Sequence, residues 1–337
     1  MRFFNIFHTL FNRIKNIQNK RDKIIIGILW KVFVVLSIPL ILNYLNIYPY
    51  TDNNTQETQT TPMEIGVDDH KEPPAFLATF ANLHEITTLE DIRAHLFYVD
   101  SSAYVYLDDF PLELLSALDL TLPLQGAVPR VLITHTHSQE AFIDSEYGNI
   151  DHSIIGIGRY LANILSTQYG ISVVHDIGFY DIVDGERKIM GSYERMEEGV
   201  MRILQMHPEI EVIIDLHRDA APEHRTLSMD LDGTPTAQLM FFNGITRLST
   251  DGSPKELYEL FNPYITENLA LSLQMFLTTN EHYPGLARRN YIRGYRYSLH
   301  MKPRSLLVEV GGHTSTVEEA RNAMYPLARV LVEVLGG

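Results

Sequence analysis

A chain of 337 residues with 42 acidic against 27 basic side chains carries a formal charge of −15 at pH 7 and contains no cysteine. The acid excess argues against a nucleic-acid partner, because no basic face is available to neutralise phosphates. The missing thiols exclude disulfide staples, thiolate zinc sites and cysteine nucleophiles.

Charge is unevenly placed along the chain. Residues 1–31 hold seven of the 27 bases and, in Asp22, one of the 42 acids. From Ile24 to Tyr50 runs IIIGILWKVFVVLSIPLILNYLNIYPY, long enough for the roughly 20 apolar residues that cross a bilayer core. Lys31 interrupts this run and can snorkel to the interface, so the pattern predicts a single transmembrane anchor over 32–50. The bases of 1–31 place that end in the cytoplasm, Tyr44, Tyr48 and Tyr50 suit the far interface, and the body is expected outside the cytoplasm at the cell membrane. No small-residue cleavage site follows the apolar run, which argues against a removed signal peptide. Residues 51–86, rich at first in Thr, Asn, Gln and acids, read as a polar linker.

In the body, residues 87–125 are expected to form a small subdomain around a hairpin, RAHLFYVDSSAYVYLDDF, turning at Asp100-Ser101-Ser102. The main domain is then 126–337. There, strand patterns at 131–135, 171–175 and 212–217 alternate with helical ones at 154–168 and 193–206, which means an α/β fold with a mostly parallel sheet flanked by helices. Two further strands are expected at 238–243 and 305–310. Between them, Asn262-Pro263 should break the helical stretch 254–283. Ser315 with Glu318, and Thr316 with Glu319, are capping-box spacings that open a last helix ending at Gly336, and Pro326 within it implies a kink.

The chemistry concentrates where apolar runs end. VLITHTHSQEAF brings His135, His137 and Glu140 to the end of one run, and VIIDLHRDA brings His217 to the end of another. A catalytic zinc site takes three protein ligands from His and carboxylate, and in an open parallel sheet such groups gather beyond the carboxyl ends of the strands. SLLVEVGGH ends a third run with Glu309, a candidate general base. A lone strand-end His is more often a hydrogen-bonded loop residue, and a lone Glu140 a solvated one. Glu309 is different, since a carboxylate between Val308 and Val310 is costly to bury without a partner. Arg288, Arg289, Arg293 and Arg296 in ARRNYIRGYRY, and Arg218 after His217, offer forks for substrate carboxylates. The alternative for them is a solvated or internally paired face.

With HTHSQEAF, DLHRDA, AQLMFFNG, NPYITENLALSLQMFL, YPGLARR and SLLVEVGGHTSTVEEA in this order, the chain resembles the stage II sporulation protein P family from about Phe97 to its C-terminus. The resemblance implies a membrane-anchored, zinc-dependent peptidoglycan hydrolase with N-acetylmuramoyl-L-alanine amidase and endopeptidase activities. It implies work in forespore engulfment beside the companion stage II sporulation proteins D and M. It extends to the zinc amidases of the cell wall, whose first ligand follows a strand in a pattern like IDPGHGG. Laid on that pattern, His137 rather than His135 is the first ligand, His217 the second and Glu309 the catalytic carboxylate. Those amidases take a carboxylate ligand from the start of their first helix, where this chain has Asn149, Ile150, Asp151 and His152. The third ligand is therefore Glu140 by first choice and His152 by second. His135 is left to orient a ligand or stabilise an oxyanion, and His313 has no assigned role.

The expected reaction is hydrolysis of the amide between the lactyl group of muramic acid and L-alanine, with Zn2+ as cofactor. A peptidase acting on the cross-link of the same polymer, or a non-catalytic wall-binding scaffold, are the alternatives. A hydrolase of the HxHxDH type is disfavoured, since Gln139 and Glu140 stand where Asp and His are required.

Overall fold

The computed structural model describes residues 77–220 and 224–336. The basic segment 1–31, the expected anchor at 32–50 and most of the expected linker lie outside these residues. The chain divides into two units, and all described residues belong to the second, Tyr50–Gly337. Among the described residues no helix is long and apolar enough to cross a membrane.

Residues 77–86, expected as the end of the linker, pack into the body instead. Ala78, Leu83 and Ile86 are buried, and Asn280 Nδ2 donates to Ala78 O at 2.9 Å. The expected hairpin at 93–110 is replaced by a helix and a single strand. Thr88 and Asp91 exchange a reciprocal capping box that opens helix α1, Leu89–His95. Strand β1, Phe97–Val99, follows and pairs in parallel with a strand nearly 200 residues away. Asp100 ends β1 by accepting Ser102 N at 2.8 Å and Tyr291 OH at 2.8 Å, which ties the turn to the sheet. The short helix α2, Leu112–Ala117, then leads into the main domain. Within 87–125, β1 is thus an edge strand of the main sheet.

Chain order continues with β2 (Gly126–Thr134), α3 (Ile154–Tyr169), β3 (Ile171–His175), the small hairpin β4 (Ile182–Val183) and β5 (Glu186–Arg187), α4 (Ser192–Met206) and β6 (Val212–Asp219). A second hairpin, β7 (Ser228–Leu231) and β8 (Thr234–Ala237), runs directly into β9 (Leu239–Gly244). The third hairpin, β10 (Arg247–Thr250) and β11 (Ser253–Glu256), precedes α5 (Ile265–His282), β12 (Asn290–Arg293), β13 (Arg304–Gly312) and α6 (Val317–Gly336). Of the two capping boxes read at α6, the Thr316–Glu319 one forms: Thr316 N donates to Glu319 Oε2 at 2.7 Å and Glu319 N to Thr316 Oγ1 at 3.2 Å. Ser315 instead turns its hydroxyl to Gly312 N at 3.1 Å.

The central sheet has seven strands in the order β1-β12-β9-β13-β6-β2-β3. All neighbours are parallel except β9 and β13. The reversal has a local cause. A parallel return needs a crossover of a dozen or more residues, usually a helix, whereas the β7–β8 hairpin turns the chain straight into β9. The architecture is therefore mixed α/β with a mostly parallel sheet and flanking helices. One face, with Ile133, Ile214, Leu216, Val308 and Val310, packs on α3, α5 and α6 in the main apolar core. The other carries Leu132 and Ile213 under Met196 and Val200 of α4, and Met240, Phe242 and Leu307 under Leu299.

Candidate metal centre

Strands β2, β6 and β13 end at one edge of the sheet, and each brings polar side chains there. Side chains alternate along a strand, so Asp215, His217 and Asp219 of β6 share a face while Ile214 and Leu216 enter the main core on the other. β2 stops at Thr134, and the chain leaving it carries His137 and Glu140 toward the end of β6. On β13, Glu309 lies beside His217 in the parallel register.

Among the described residues, one group of His and carboxylate side chains offers ligand atoms within 4.8 Å of one another: His137, Glu140 and His217. Glu140 Oε1 faces His137 Nδ1 at 3.5 Å and His217 Nδ1 at 3.3 Å. Its other oxygen accepts Arg218 N at 2.8 Å. Burial alone would raise the Glu140 carboxyl, but the neighbouring His217 charge and the hydrogen bonds from both histidines outweigh it and hold it well below its usual range. Burial alone would depress His217, and the Asp215 and Glu140 carboxylates overcome that and hold it well above its usual value. The donor set of two imidazoles and one carboxylate suits zinc. His137 Nε2 is buried without a hydrogen-bond partner, and Tyr193 stands edge-on to the His137 ring at 5.7 Å. These residues fit the ion that the sequence implies.

Asp215 is a member of the site that the sequence reading missed. Its Oδ1 lies 2.9 Å from His217 Nε2, a close ionic approach outside the alignment of a good N–H···O bond. Thr136 clamps the same carboxylate, N to Oδ1 at 2.9 Å and Oγ1 to Oδ2 at 2.6 Å. Thr136 precedes His137, so one carboxylate orients both segments that carry these histidines. A carboxylate behind a metal-binding imidazole typically supports affinity by about 10- to 100-fold. Asp215→Asn is expected to weaken zinc binding by about that factor while leaving the secondary structure intact. Titration with a competing chelator reads this directly, and an unchanged affinity would remove Asp215 from the site.

His135 has no ring nitrogen left for the expected oxyanion role, which leaves the expected role of orienting a ligand. It is fully buried, and both ring nitrogens are engaged: Nδ1 with Leu216 O at 2.9 Å and Nε2 with His175 Nε2 at 2.9 Å. A carbonyl only accepts, so His135 donates from Nδ1, accepts at Nε2, and His175 carries the Nε2 proton. Burial depresses His135, and burial with the neighbouring His135 pushes His175 down to about 3. The pair is neutral and does not touch the metal group. It positions the peptide leading into His217. Gly158 of α3 leaves room for it, since a Cβ there would stand 2.5 Å from His135 Nε2 and 2.9 Å from His175 Nε2. Gly158→Ala is expected to cost about 1–3 kcal/mol by overpacking, read as a fall in melting temperature. An unchanged melting temperature would mean the imidazole pair yields without cost.

The other expected site residues divide sharply. His152 is apart from the group, with Nδ1 accepting Glu146 N at 3.3 Å, whereas Glu140 stands within it. Arg218 spends its guanidinium on Ala141 O at 2.9 Å and Asp219 O at 3.5 Å, which secures the Glu140 loop. Arg289 donates to Arg93 O and Ala94 O at the end of α1 and lies over the Tyr98 ring at 5.8 Å. Arg293, the last residue of β12, pairs with Asp100 at 3.5 Å, and Arg296 beyond it with Glu197 at 3.1 Å. Arg288 alone of these four reaches the group, through Asp219 at 2.8 Å. His313 gives its backbone N–H to Asp219 O at 3.0 Å.

Glu309 is 6 % exposed, and Oε2 has no hydrogen-bond partner. Burial, and after it the charge of Asp219, pushes its carboxyl up to about 8. Asp215 and Asp219 were legible in principle, because DLHRD in an otherwise apolar strand puts three polar residues on one face. Tyr193 and His175 left no such mark.

A family model described as Stage II sporulation protein P matches residues 50–332. No curated protein matches in sequence. Solved structures similar to this one include the N-acetylmuramoyl-L-alanine amidase AmiC2 of Nostoc punctiforme, at 15 % identity and TM-score 0.36, covering 62 % of this chain and 97 % of that one. The CwlD amidase from Clostridioides difficile, solved in complex with the GerS lipoprotein, gives 12 %, 0.37, 61 % and 98 % in the same terms. The amidase Ami1 from Mycobacterium smegmatis gives 12 %, 0.38, 64 % and 99 %.

Proposed function

The chain belongs to the stage II sporulation protein P family, and on that premise we propose a membrane-anchored, zinc-dependent N-acetylmuramoyl-L-alanine amidase that acts on peptidoglycan during sporulation. The observation that carries this reading is the convergence of His137, Glu140 and His217 within 4.8 Å at the strand ends, with Glu309 beside them in register. The companion stage II sporulation proteins D and M are proposed partners on the strength of the family alone.

His137, Glu140 and His217 would hold the ion. Zinc at such a site supplies a water of lowered pKa and polarises the amide carbonyl. Glu309 would be the carboxylate that takes up a proton and returns it to the leaving amine, a role that suits a partly dry carboxylate at a strand end. Asp215 keeps His217 turned toward Glu140, and Tyr193 keeps the His137 ring in place.

The deciding experiment is mass spectrometry of muropeptides released from purified peptidoglycan by the full-length protein, with zinc, with chelator and with zinc restored. Free stem peptides beginning in L-alanine, lost with chelator, are the expected products. Products opened at the cross-link would support the peptidase, and wall binding with no product would support the scaffold.

Zinc binding should also be proton-linked. His217 is held protonated above its usual value in the metal-free protein, and the ligand must be neutral. Zinc affinity is therefore expected to rise with pH by about tenfold per unit for each proton displaced. Calorimetry in buffers of different ionisation enthalpy measures the release, and no release at pH 7 would contradict the assignment of His217.

For the anchor, a reporter fused after Gly337 is expected to be active only outside the cytoplasm, because the basic residues of 1–31 hold the other end inside.

A further inference from the structure

On its β13 side the site leaves four buried polar atoms without a partner: Glu309 Oε2, Asp219 Oδ1, and Nε and Nη2 of Arg288. Buried polar atoms are nearly always hydrogen-bonded, so a cluster of orphans marks a place made for another molecule. Arg288 arrives there from the reversed half of the sheet. Its backbone N–H donates to Leu239 O at 2.7 Å, and Leu239 lies opposite Val310, the neighbour of Glu309. Nη1 donates to Asp219 Oδ2 at 2.8 Å, which fixes the guanidinium.

The two orphaned nitrogens are not scattered. Nε and Nη2 form the side-on edge of the guanidinium, the fork that takes both oxygens of one carboxylate in parallel bonds. Parallel N–H bonds of this kind match the two oxygens of a carboxylate better than a single oxyanion. Asp219 stands two residues beyond His217 on the same face of β6, about 7 Å along the strand. That is about two residues of extended peptide. A substrate whose scissile amide lies at the metal group therefore reaches Arg288 with the residue that follows L-alanine. In muramyl peptides that residue is a γ-linked D-glutamate with a free α-carboxylate.

We infer that Arg288, held by Asp219, is the specificity residue of this site and receives the free α-carboxylate of the second stem-peptide residue. The identity of the ligand rests on the amidase reading, while the fork itself does not. A role confined to bridging the end of β6 to β12 needs only the Nη1 bond and leaves the side-on edge unexplained.

The test offers the full-length protein two probes: N-acetylmuramoyl-L-alanyl-D-isoglutamate, and the same compound with the α-carboxylate amidated. Amidation removes the charge and replaces one accepting oxygen with an NH2 group that opposes a donor of the fork. The wild type is expected to prefer the acid by about 10- to 100-fold, in kcat/KM with zinc and in Kd by calorimetry, as for a desolvated charge pair. Arg288→Gln should abolish the preference, so that acid and amide are used and bound alike. Arg288→Lys keeps the charge beside Asp219 but lacks the fork, and is expected to lose the same preference. If Arg288→Gln melts early, the Lys variant decides. Equal affinity of the wild type for both probes, or a preference that survives both substitutions, would overturn the inference. Absence of chelator-sensitive hydrolysis with the binding preference intact would instead remove the amidase reading and keep the fork.

Discussion

Replacing Glu309 with Gln is expected to leave a protein that binds zinc and peptidoglycan normally and turns over about 10² to 10⁴ times more slowly, the usual contribution of a positioned acid or base. Gln keeps the shape and one accepting oxygen but cannot take a proton. The structure adds a second, opposite effect on stability. Burial and the Asp219 charge raise the Glu309 carboxyl from 4.5 to about 8 in the metal-free protein. The folded state therefore binds a proton that the unfolded chain has released above its ordinary value. Its contribution to stability is full below that value and is lost as pH rises toward 8. Gln removes this penalty, so metal-free Glu309→Gln should melt higher than the wild type, with the gap widening between pH 5 and pH 8. Bound zinc favours the ionised carboxylate and should narrow the gap. A structural carboxylate would behave in reverse, with a lower melting temperature and unchanged turnover per folded molecule. Full turnover in zinc-loaded Glu309→Gln protein would falsify the assignment.

His217→Ala and His137→Ala are both expected to abolish stoichiometric zinc and reduce hydrolysis to that of the chelated wild type, since each removes one of the three proposed ligands. Their effects on folding should differ. His217 sits between Asp215 at 2.9 Å and Glu140 at 3.3 Å, with its side chain 3 % exposed. Deleting it removes the imidazole that pairs with both buried carboxylates, a defect that typically costs about 3–5 kcal/mol. His137 is more exposed, at 14 %, and has one carboxylate neighbour at 3.5 Å. Metal-free His137→Ala should therefore melt close to the metal-free wild type, and His217→Ala well below it. Metal analysis and melting curves on the same preparations check both. Equal destabilisation, or zinc retained by either variant, would contradict this arrangement.

Several features are legible in the residues alone, because they depend on periodicity and local chemistry. The alternation of apolar runs with helical patterns specifies β2, α3, β3, α4 and β6 to within a few residues, except that β2 begins at Gly126, five before the expected 131. Strand ends on His217 and Glu309, with His137 and Glu140 just past another, are a one-dimensional record of the crevice at the carboxyl edge of a parallel sheet. Thr316 and Glu319 announce the start of α6 because the capping box is closed within four residues.

Other features were settled by tertiary structure, since they depend on partners distant in sequence. The turn residues after Phe97–Val99 suggest a hairpin, but that strand finds its partner in β12, inside a stretch whose arginines conceal a strand. Period alone cannot say which of His135 and His137 serves the site, because both lie past the last residue of β2. The fold decides it by giving His135 to Leu216 O and His175. The same holds for the four arginines. The hairpin that feeds β9 reverses half of the sheet, so β12 starts at the edge where β6 and β13 end. Arg288 is thereby placed beside Asp219, while Arg293 and Arg296 are carried to the opposite edge. Sequence distance encodes none of this, because strand direction is set by how the chain returns to the sheet.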